Sequence, residues 1–401
     1  MDKRKILLIS QVFYPDEVAV ANLFTNLCTE LVKSGLEVRV WCAQPSYTCR
    51  ERQQKHKIYQ GIYIHYLPST NFRKDKIFGR LINYFTYSVS TVLKLIFSRD
   101  KTKVITHTTP PFLAIIISFL CKLKNREFFY VLLDVFPDGL IRLNKVSSRN
   151  ILIKIWRSLH LKAFKRCKRI VVIGRDMKKW LCDFYPGGYK KVEYIPLWQD
   201  KELITPVDLN DNPLVSDLHL QDHFVVQYSG NMGLWNDMEA LGRAVSKSPD
   251  GIMFVFIGNG MRKKELIESI KNDNLSNVLF IPFQSNRNYS LSVCACHVAL
   301  VNLREGLEGI AVPSKIIGIM GAGIPVIAMV PKDSEIAYIV EEEKCGYVLK
   351  PSDSDGLINT IIRLKSDEVL RKSMGQNGRR AFEKKYTSKI IAEKYSAIFV
   401  S

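Results

Sequence analysis

Apolar residues along this 401-residue chain come in short runs rich in Val, Ile, Phe and Tyr, separated by longer stretches of helical period. The alternation continues almost from end to end. Extended runs are predicted at 6–12, 37–42, 62–67, 104–108, 128–135, 169–173 and 192–195, with helical stretches at 21–34, 78–97, 112–122, 151–165 and 176–184 between them. The second half repeats the theme, with strands at 224–229, 252–258, 278–282, 297–303, 325–330 and 347–350. Strands alternating with helices imply parallel sheets covered on both faces. Periodicity breaks over 196–222, where Pro206, Pro213 and a cluster of Asp and Asn interrupt it. The expectation is an α/β chain of two Rossmann-like doubly wound domains, over 1–200 and 201–385, facing a cleft. A final helix over 386–401 is expected to return to the first domain, with ligands at the carboxyl ends of the strands.

Two segments of the second half carry candidate chemistry. The run from Val225 to Gly233 reads as a strand entering a Gly-x-x-Gly turn, Gly230-Asn231-Met232-Gly233, followed by a helix predicted over 235–247. Glycine lets a backbone approach an anion closely, and a helix N-terminus favours negative charge. Many strand-to-helix turns use glycine for geometry alone, so this turn by itself leaves both readings open. About eighty residues later, Val312-Pro313-Ser314-Lys315 opens a second helix that Gly323 ends. A lysine in a first turn opposes the helix dipole. An anionic ligand explains its placement better than helix stability does.

Charge changes the picture next. Of the 58 Lys and Arg, 35 fall in residues 1–200 against 15 of the 39 acids, an excess of twenty cations, while the remainder lies within one charge of neutrality. Such asymmetry implies an anionic partner for the first half, a nucleic acid or an acidic membrane surface. Signatures of RNA-recognition motifs, zinc fingers or helix-turn-helix modules are missing, which argues against nucleic acid. Basic and aromatic residues mix over 72–87, and a second basic zone covers 154–191, as interfacial segments do. Part of that aromatic run equally reads as core. The nine cysteines form no disulfide pattern and suit a reducing compartment. Apolar windows stop short of the roughly 20 residues needed to span a bilayer. The reading is a cytoplasmic protein, peripheral at the inner face of the membrane.

Phe13 to Asp16, Asp134 to Asp138 and Ile195 to Asp200, together with the two second-half segments, resemble the glycosyltransferases of family 4, of the two-Rossmann GT-B fold. Phe13-Tyr14-Pro15-Asp16 resembles the loop after the family's first strand. Asp134-Val135-Phe136-Pro137-Asp138 is similar to its D-(I/L)-(W/F/Y)-P-(D/E) element, and Ile195-Pro196-Leu197-Trp198-Gln199-Asp200 to its I-P-N-W-x-D linker. Tyr228 to Gly233, Phe256 to Gly260 and Val312 to Lys315 resemble the donor-binding elements of the subgroup that builds bacterial O-antigen, capsule and colanic acid. One departure stands out. The family's Glu-x7-Glu pair aligns with Ile310 and Gly318, and Glu308, or less directly Glu305, replaces the first glutamate only after a shift. The loss puts the nucleotide-ribose contact in doubt.

The resemblance implies retaining transfer of a sugar from a nucleotide-diphosphate donor, UDP-linked, to a polyprenyl-diphosphate-linked saccharide. An N-acetylated amino sugar such as L-FucNAc is the first to test. It implies donor contacts from Gly230, Asn231, Gly233, Arg262, Ser314 and Lys315, with no metal and no cofactor beyond the donor. Arg262 equally reads as part of a solvated helix face. Asp134, at the end of an apolar strand, is the acid/base candidate, with Glu308 as a second catalytic candidate. Asp134 reads equally as a turn aspartate before Pro137. Asp16 and His107 are expected on the acceptor side, although a hydrogen-bonded structural role suits His107 as well. Arg73, Lys74, Lys76 and Arg80 are expected to dock on an anionic membrane surface. A nucleotide-sugar epimerase of the same fold and a catalytically silent scaffold remain alternatives.

Overall fold

The structure, a computed structural model, describes residues 5–46, 51–72, 77–270 and 276–400. The chain divides into two compact units, one running to Pro196 and resumed from Ser388, the other Leu197–Thr387.

The first unit is built on an eight-stranded sheet. Its strands are β1 (Lys5–Ile9), β2 (Glu37–Ala43), β3 (His56–Tyr59), β4 (Ile62–Leu67), β5 (Lys103–His107), β6 (Phe128–Leu132), β7 (Arg169–Val172) and β8 (Val192–Tyr194). They lie in the order β3-β4-β2-β1-β5-β6-β7-β8, and every pair is parallel except β3 with β4. Strands such as β6, buried at every position, need cover on both faces. The helices Ile77–Phe97, Leu113–Leu123 and Ile151–Arg166 pack side by side in sequence order, while Ala19–Lys33 packs against the last helix, Ser388–Val400. Chain order reverses between β1 and β5, the switch point at which such sheets leave a crevice at the strand ends.

The second unit carries six parallel strands: β9 (Phe224–Ser229), β10 (Ile252–Ile257), β11 (Val278–Ile281), β12 (Val298–Asn302), β13 (Val326–Met329) and β14 (Gly346–Leu349). Their order, β11-β10-β9-β12-β13-β14, is the Rossmann order with its switch point between β9 and β12. Its core joins Val226, Tyr228, Phe254, Phe256 and Leu300 to the helix faces of Leu241 and Ile361. Both units are therefore Rossmann-like and doubly wound. Most strands stop one to three residues before the sequence patterns end, since Val12, Leu133 and Val135 are buried loop residues past the last strand pairing.

Candidate functional site

In the second unit the turn after β9 and the turn after β10 are locked together through their backbones. Gly230 N donates to Ile257 O (2.9 Å), Met232 N to Asn259 O (3.0 Å) and Arg262 N to Met232 O (3.0 Å). Glycine is required where the turns meet: a Cβ on Gly258, whose φ is +116°, would stand 2.4 Å from Gly230 O. Gly258→Ala is accordingly expected to cost about 2–4 kcal/mol by chemical denaturation, from left-handed strain plus the clash. Gly306→Ala is the control, because its φ of +77° carries strain but its Cβ would meet nothing within 4 Å.

This arrangement corrects the phosphate cradle expected over Gly230 to Gly233. Gly230 N and Met232 N are spent on carbonyls, and Gly233 N donates to Asn236 Oδ1 (3.1 Å). The following helix begins at Met238 rather than near 235. Asp237 caps it, taking the Ala240 amide at 3.2 Å, so a carboxylate already occupies that N-terminus. Two residues not singled out from sequence, Asn236 and Asn302, complete the network. Asn236 Nδ2 donates to Asn302 at 3.1 Å, and Asn302 Nδ2 to Asp237 O at 2.8 Å, tying the β9 turn to the end of β12. A polar Asn closing the otherwise apolar run of β12 was the available signal.

Across the switch point stands the helix Lys315–Ala322. Its N-cap residue, Ser314, is exposed and makes no side-chain capping bond, which leaves this helix start open to an anion. The other end is fixed: Gly323 closes it in the left-handed conformation (φ +73°), and the Arg379 guanidinium donates to Gly321 O. Lys315 folds back so that its Nζ lies 3.2 Å from the centroid of the Tyr228 ring and within reach of Gly230. That ammonium is buried and has no hydrogen-bond partner among the described residues. Burial holds its pKa well below the usual lysine range. A buried cation supported by one aromatic face is under-satisfied, and an oxyanion is the group that would complete it.

Other expected donor residues behave differently. Asn231 is exposed, and its carbonyl accepts the Tyr228 hydroxyl at 3.0 Å. Arg262 is corrected to a brace: its guanidinium is buried, donates to Asn236 O and to Glu265, and lies 3.9 Å from Glu239. Its charge is spent holding the turn. Glu308 lies part-buried on the 303–314 loop, and Ile310 beside it is fully buried. A Cβ on Gly318 would meet the Tyr289 hydroxyl at 2.3 Å, so the space beside that helix position is filled by Tyr289, itself bonded to Gln199.

In the first unit the switch-point residues are structural. His107 is fully buried: its Nδ1 accepts the Thr109 amide (3.2 Å), so Nε2–H donates to Ser10 Oγ (2.8 Å), which donates to Val12 O (2.7 Å). Burial lowers its pKa to about 3, keeping the ring neutral. Asp16 is buried too and accepts the Ser46 amide at 3.1 Å. His107 is corrected from an expected acceptor contact to a loop tie, because both its ring nitrogens are consumed within the unit, and Asp16 ties its loop to the Ser46 backbone through Oδ2. Asp134 follows β6 by two residues, in the loop at the carboxyl end of that strand. Burial raises its pKa to about 6. The loop beneath it is pinned by an Asp138–Arg157 ion pair (3.1 Å) and by the buried His160. Arg80 is exposed on the helix Ile77–Phe97, whereas Arg73, Lys74 and Lys76 lie outside the described residues.

Comparison with known proteins matches residues 20–202 to the family described as Glycosyltransferase Family 4 and residues 217–381 to Glycosyl transferases group 1. The chain is 26% identical over 342 residues to Probable glycosyltransferase WbjE of Pseudomonas aeruginosa, covering 82% of each. It is 23% identical over 227 residues to O-antigen chain mannosyltransferase C of Escherichia coli, 54% of this chain and 59% of that one. Among solved structures, sucrose-phosphate synthase of Thermosynechococcus elongatus superposes with a TM-score of 0.77 at 16% identity, over 99% of this chain and 98% of that one. HepE of Anabaena, solved with UDP, gives 0.72 at 15% identity over 99% of each. These neighbours share the GT-B fold. Two successive domain matches that between them span most of the sequence, with relatives of the same class, establish that this chain belongs to the family 4 glycosyltransferases.

Proposed function

We propose that the protein transfers a sugar from a UDP-linked donor, with retention of anomeric configuration and without a metal, to a polyprenyl-diphosphate-linked saccharide in bacterial surface polysaccharide synthesis. The single observation that carries this reading is the buried ammonium of Lys315, without a hydrogen-bond partner among the described residues, at the open start of its helix, next to Gly230. As the bond from sugar to diphosphate breaks, negative charge collects on the leaving oxygens. A cation held in a low-dielectric site, with helix amides aimed the same way, stabilises that charge at little reorganisation cost. Lys315 with the amides at Ser314 and Lys315 would take the diphosphate, and Asn231 and Gly233 would bound it on the β9 side. Asp134, in the first unit, would exchange a proton with the acceptor hydroxyl.

The setting in surface polysaccharide synthesis is supported by the relative named for O-antigen chains. The UDP preference is supported by the fold neighbour solved with that nucleotide. An N-acetylated amino sugar such as L-FucNAc heads the donors to test. Incubation with a panel of UDP- and GDP-sugars and lipid-diphosphate-saccharide acceptors, with and without chelator, is expected to yield extended lipid of the donor's anomeric configuration in both conditions. Inverted product, or loss of turnover on chelation, would remove retention or metal independence. Interconversion of donor sugars with no lipid extended would favour an epimerase instead.

A further inference from the structure

The first unit carries a cleft of about 450 Å³ lined by Lys122, Arg126, Lys162, Lys165 and Arg166, with no carboxylate among the lining residues. It lies between the carboxyl ends of the helices Leu113–Leu123 and Ile151–Arg166. It is also at the amino-terminal edge of the sheet, since Arg126 precedes β6 and binds Thr102 O, just before β5, through Nε and Nη2 (3.0 and 2.9 Å). Two helix ends aimed together place negative dipole charge there, which accounts for some of the cations. It does not account for Arg126 Nη1, which is buried in a residue only 6% exposed and finds no partner among the described residues. Five cations, one of them an unfinished guanidinium, call for an anion.

The same two helices present apolar stripes that run into this cleft. On the first, Phe112, Ile116, Phe119 and Leu123 are exposed at helical spacing. On the second, exposed Ile151, Ile155 and Leu159 lead at the same spacing to Lys162 and Arg166. The neighbouring helix Ile77–Phe97 adds exposed Leu81, Phe85 and Phe97. Contiguous apolar surface of this kind is rare on a monomer without a partner. A free phosphate would use the cations and leave the stripes unexplained, and a protein partner would not require the absence of acids. An anionic phospholipid in a bilayer uses both, its phosphate in the cleft and its acyl chains under the stripes.

We propose that this cleft and the helix face beside it are a docking site for anionic phospholipid headgroups in a membrane. It rests on no property of the transfer reaction. Plain vesicles, lacking any acceptor, therefore test it separately from the transferase reading.

The full chain should co-sediment with vesicles of equal parts phosphatidylglycerol and phosphatidylcholine, and far less with phosphatidylcholine alone. Lys122→Glu, Lys162→Glu and Lys165→Glu combined should lower partitioning by roughly tenfold or more, as losing cations at an anionic surface predicts. An equal charge change in the second unit, at the exposed Lys264, Lys332 and Lys372, should leave it nearly intact. Leu123→Ser, Ile151→Ser and Ile155→Ser, all exposed positions of the stripes, should weaken binding with no change of charge. UDP affinity in every variant reports an intact second unit, and the melting transition an intact first one. Equal loss from both charge sets, wild-type binding by the serine variant, or displacement by inorganic phosphate beyond that by chloride at matched ionic strength would overturn the proposal. So would a change of oligomeric state in place of vesicle binding.

Discussion

Replacing Lys315 with methionine is expected to weaken UDP affinity and donor turnover by on the order of 10- to 100-fold while raising the melting temperature of the ligand-free protein. The two effects have one cause. Without a ligand, the Lys315 ammonium is buried against the Tyr228 ring with no hydrogen-bond acceptor, so desolvation is poorly repaid. Methionine fills much the same volume and removes that cost. With a diphosphate present, the same ammonium makes a charge-assisted bond in a medium that screens it little.

The pH dependence follows with a definite sign. Burial lowers the pKa of Lys315 in the folded state, so the unfolded chain, with a lysine near pH ~10.4, holds more protons across the interval between them. Stability of the ligand-free protein should therefore rise with pH through that interval and level off above it, a slope the methionine variant lacks. Binding an anion favours the protonated amine, so UDP association should take up protons and weaken as pH rises. Calorimetry in buffers of different ionisation enthalpy measures the uptake directly. Unchanged UDP affinity in Lys315→Met would remove this lysine from the donor site.

Asp134→Asn should lower turnover by on the order of 100-fold, the usual scale for losing a general acid or base, with UDP affinity unaltered. The wild-type rate should show an inflection near pH 6, where burial places this carboxyl, and the asparagine variant should lose it. Stability again has a fixed sign. The folded pKa stands above the unfolded value near ~3.9, so the proton is held more tightly in the native state. That contribution is complete below about pH 4 and is lost as pH rises through 6. Asparagine, which never ionises, should make the protein more stable at pH 7 by about 1–3 kcal/mol and give no advantage in acid. An inflection that survives in Asp134→Asn would assign it to another group.

Much of the architecture was legible because parallel strands buried on both faces write themselves as continuous apolar runs. β4 and β9 fall where those runs begin and end. β3 was missed, since His56-Lys57-Ile58-Tyr59 is an edge strand with no apolar face. Its one sequence signal is the Gln60-Gly61 pair, whose positive φ values (48° and 79°) make the hairpin turn. The candidate donor side was half legible. Lys315 stood out because its charge opposes the helix dipole, and the structure leaves that charge unanswered. Gly230 and Gly233 also stood out, but a glycine turn does not say where its amides point. Here they point at Ile257, Asn259 and Asn236. Arg262, Asp16 and His107 show the same limit: a polar residue at a strand end is visible in sequence, while the partner that consumes it comes from a distant segment. Gly318 read as the loss of the second glutamate of the family pair that it resembles. Tyr289, some thirty residues away, is what fills the space.

The interlock between the turns after β9 and β10 bears on how this part of the second unit can be re-engineered or can drift. Because each turn completes the other's amides and carbonyls, a 229–236 segment whose turn differs in shape would strand the Ile257 and Asn259 carbonyls, and a side chain brought in at Gly258 or Gly260 would meet Gly230 O or Met232 O. The two turns form one heritable cassette. Chimaeras should remain foldable when the pair is exchanged together, and variation at either one should be tolerated only in company with the other.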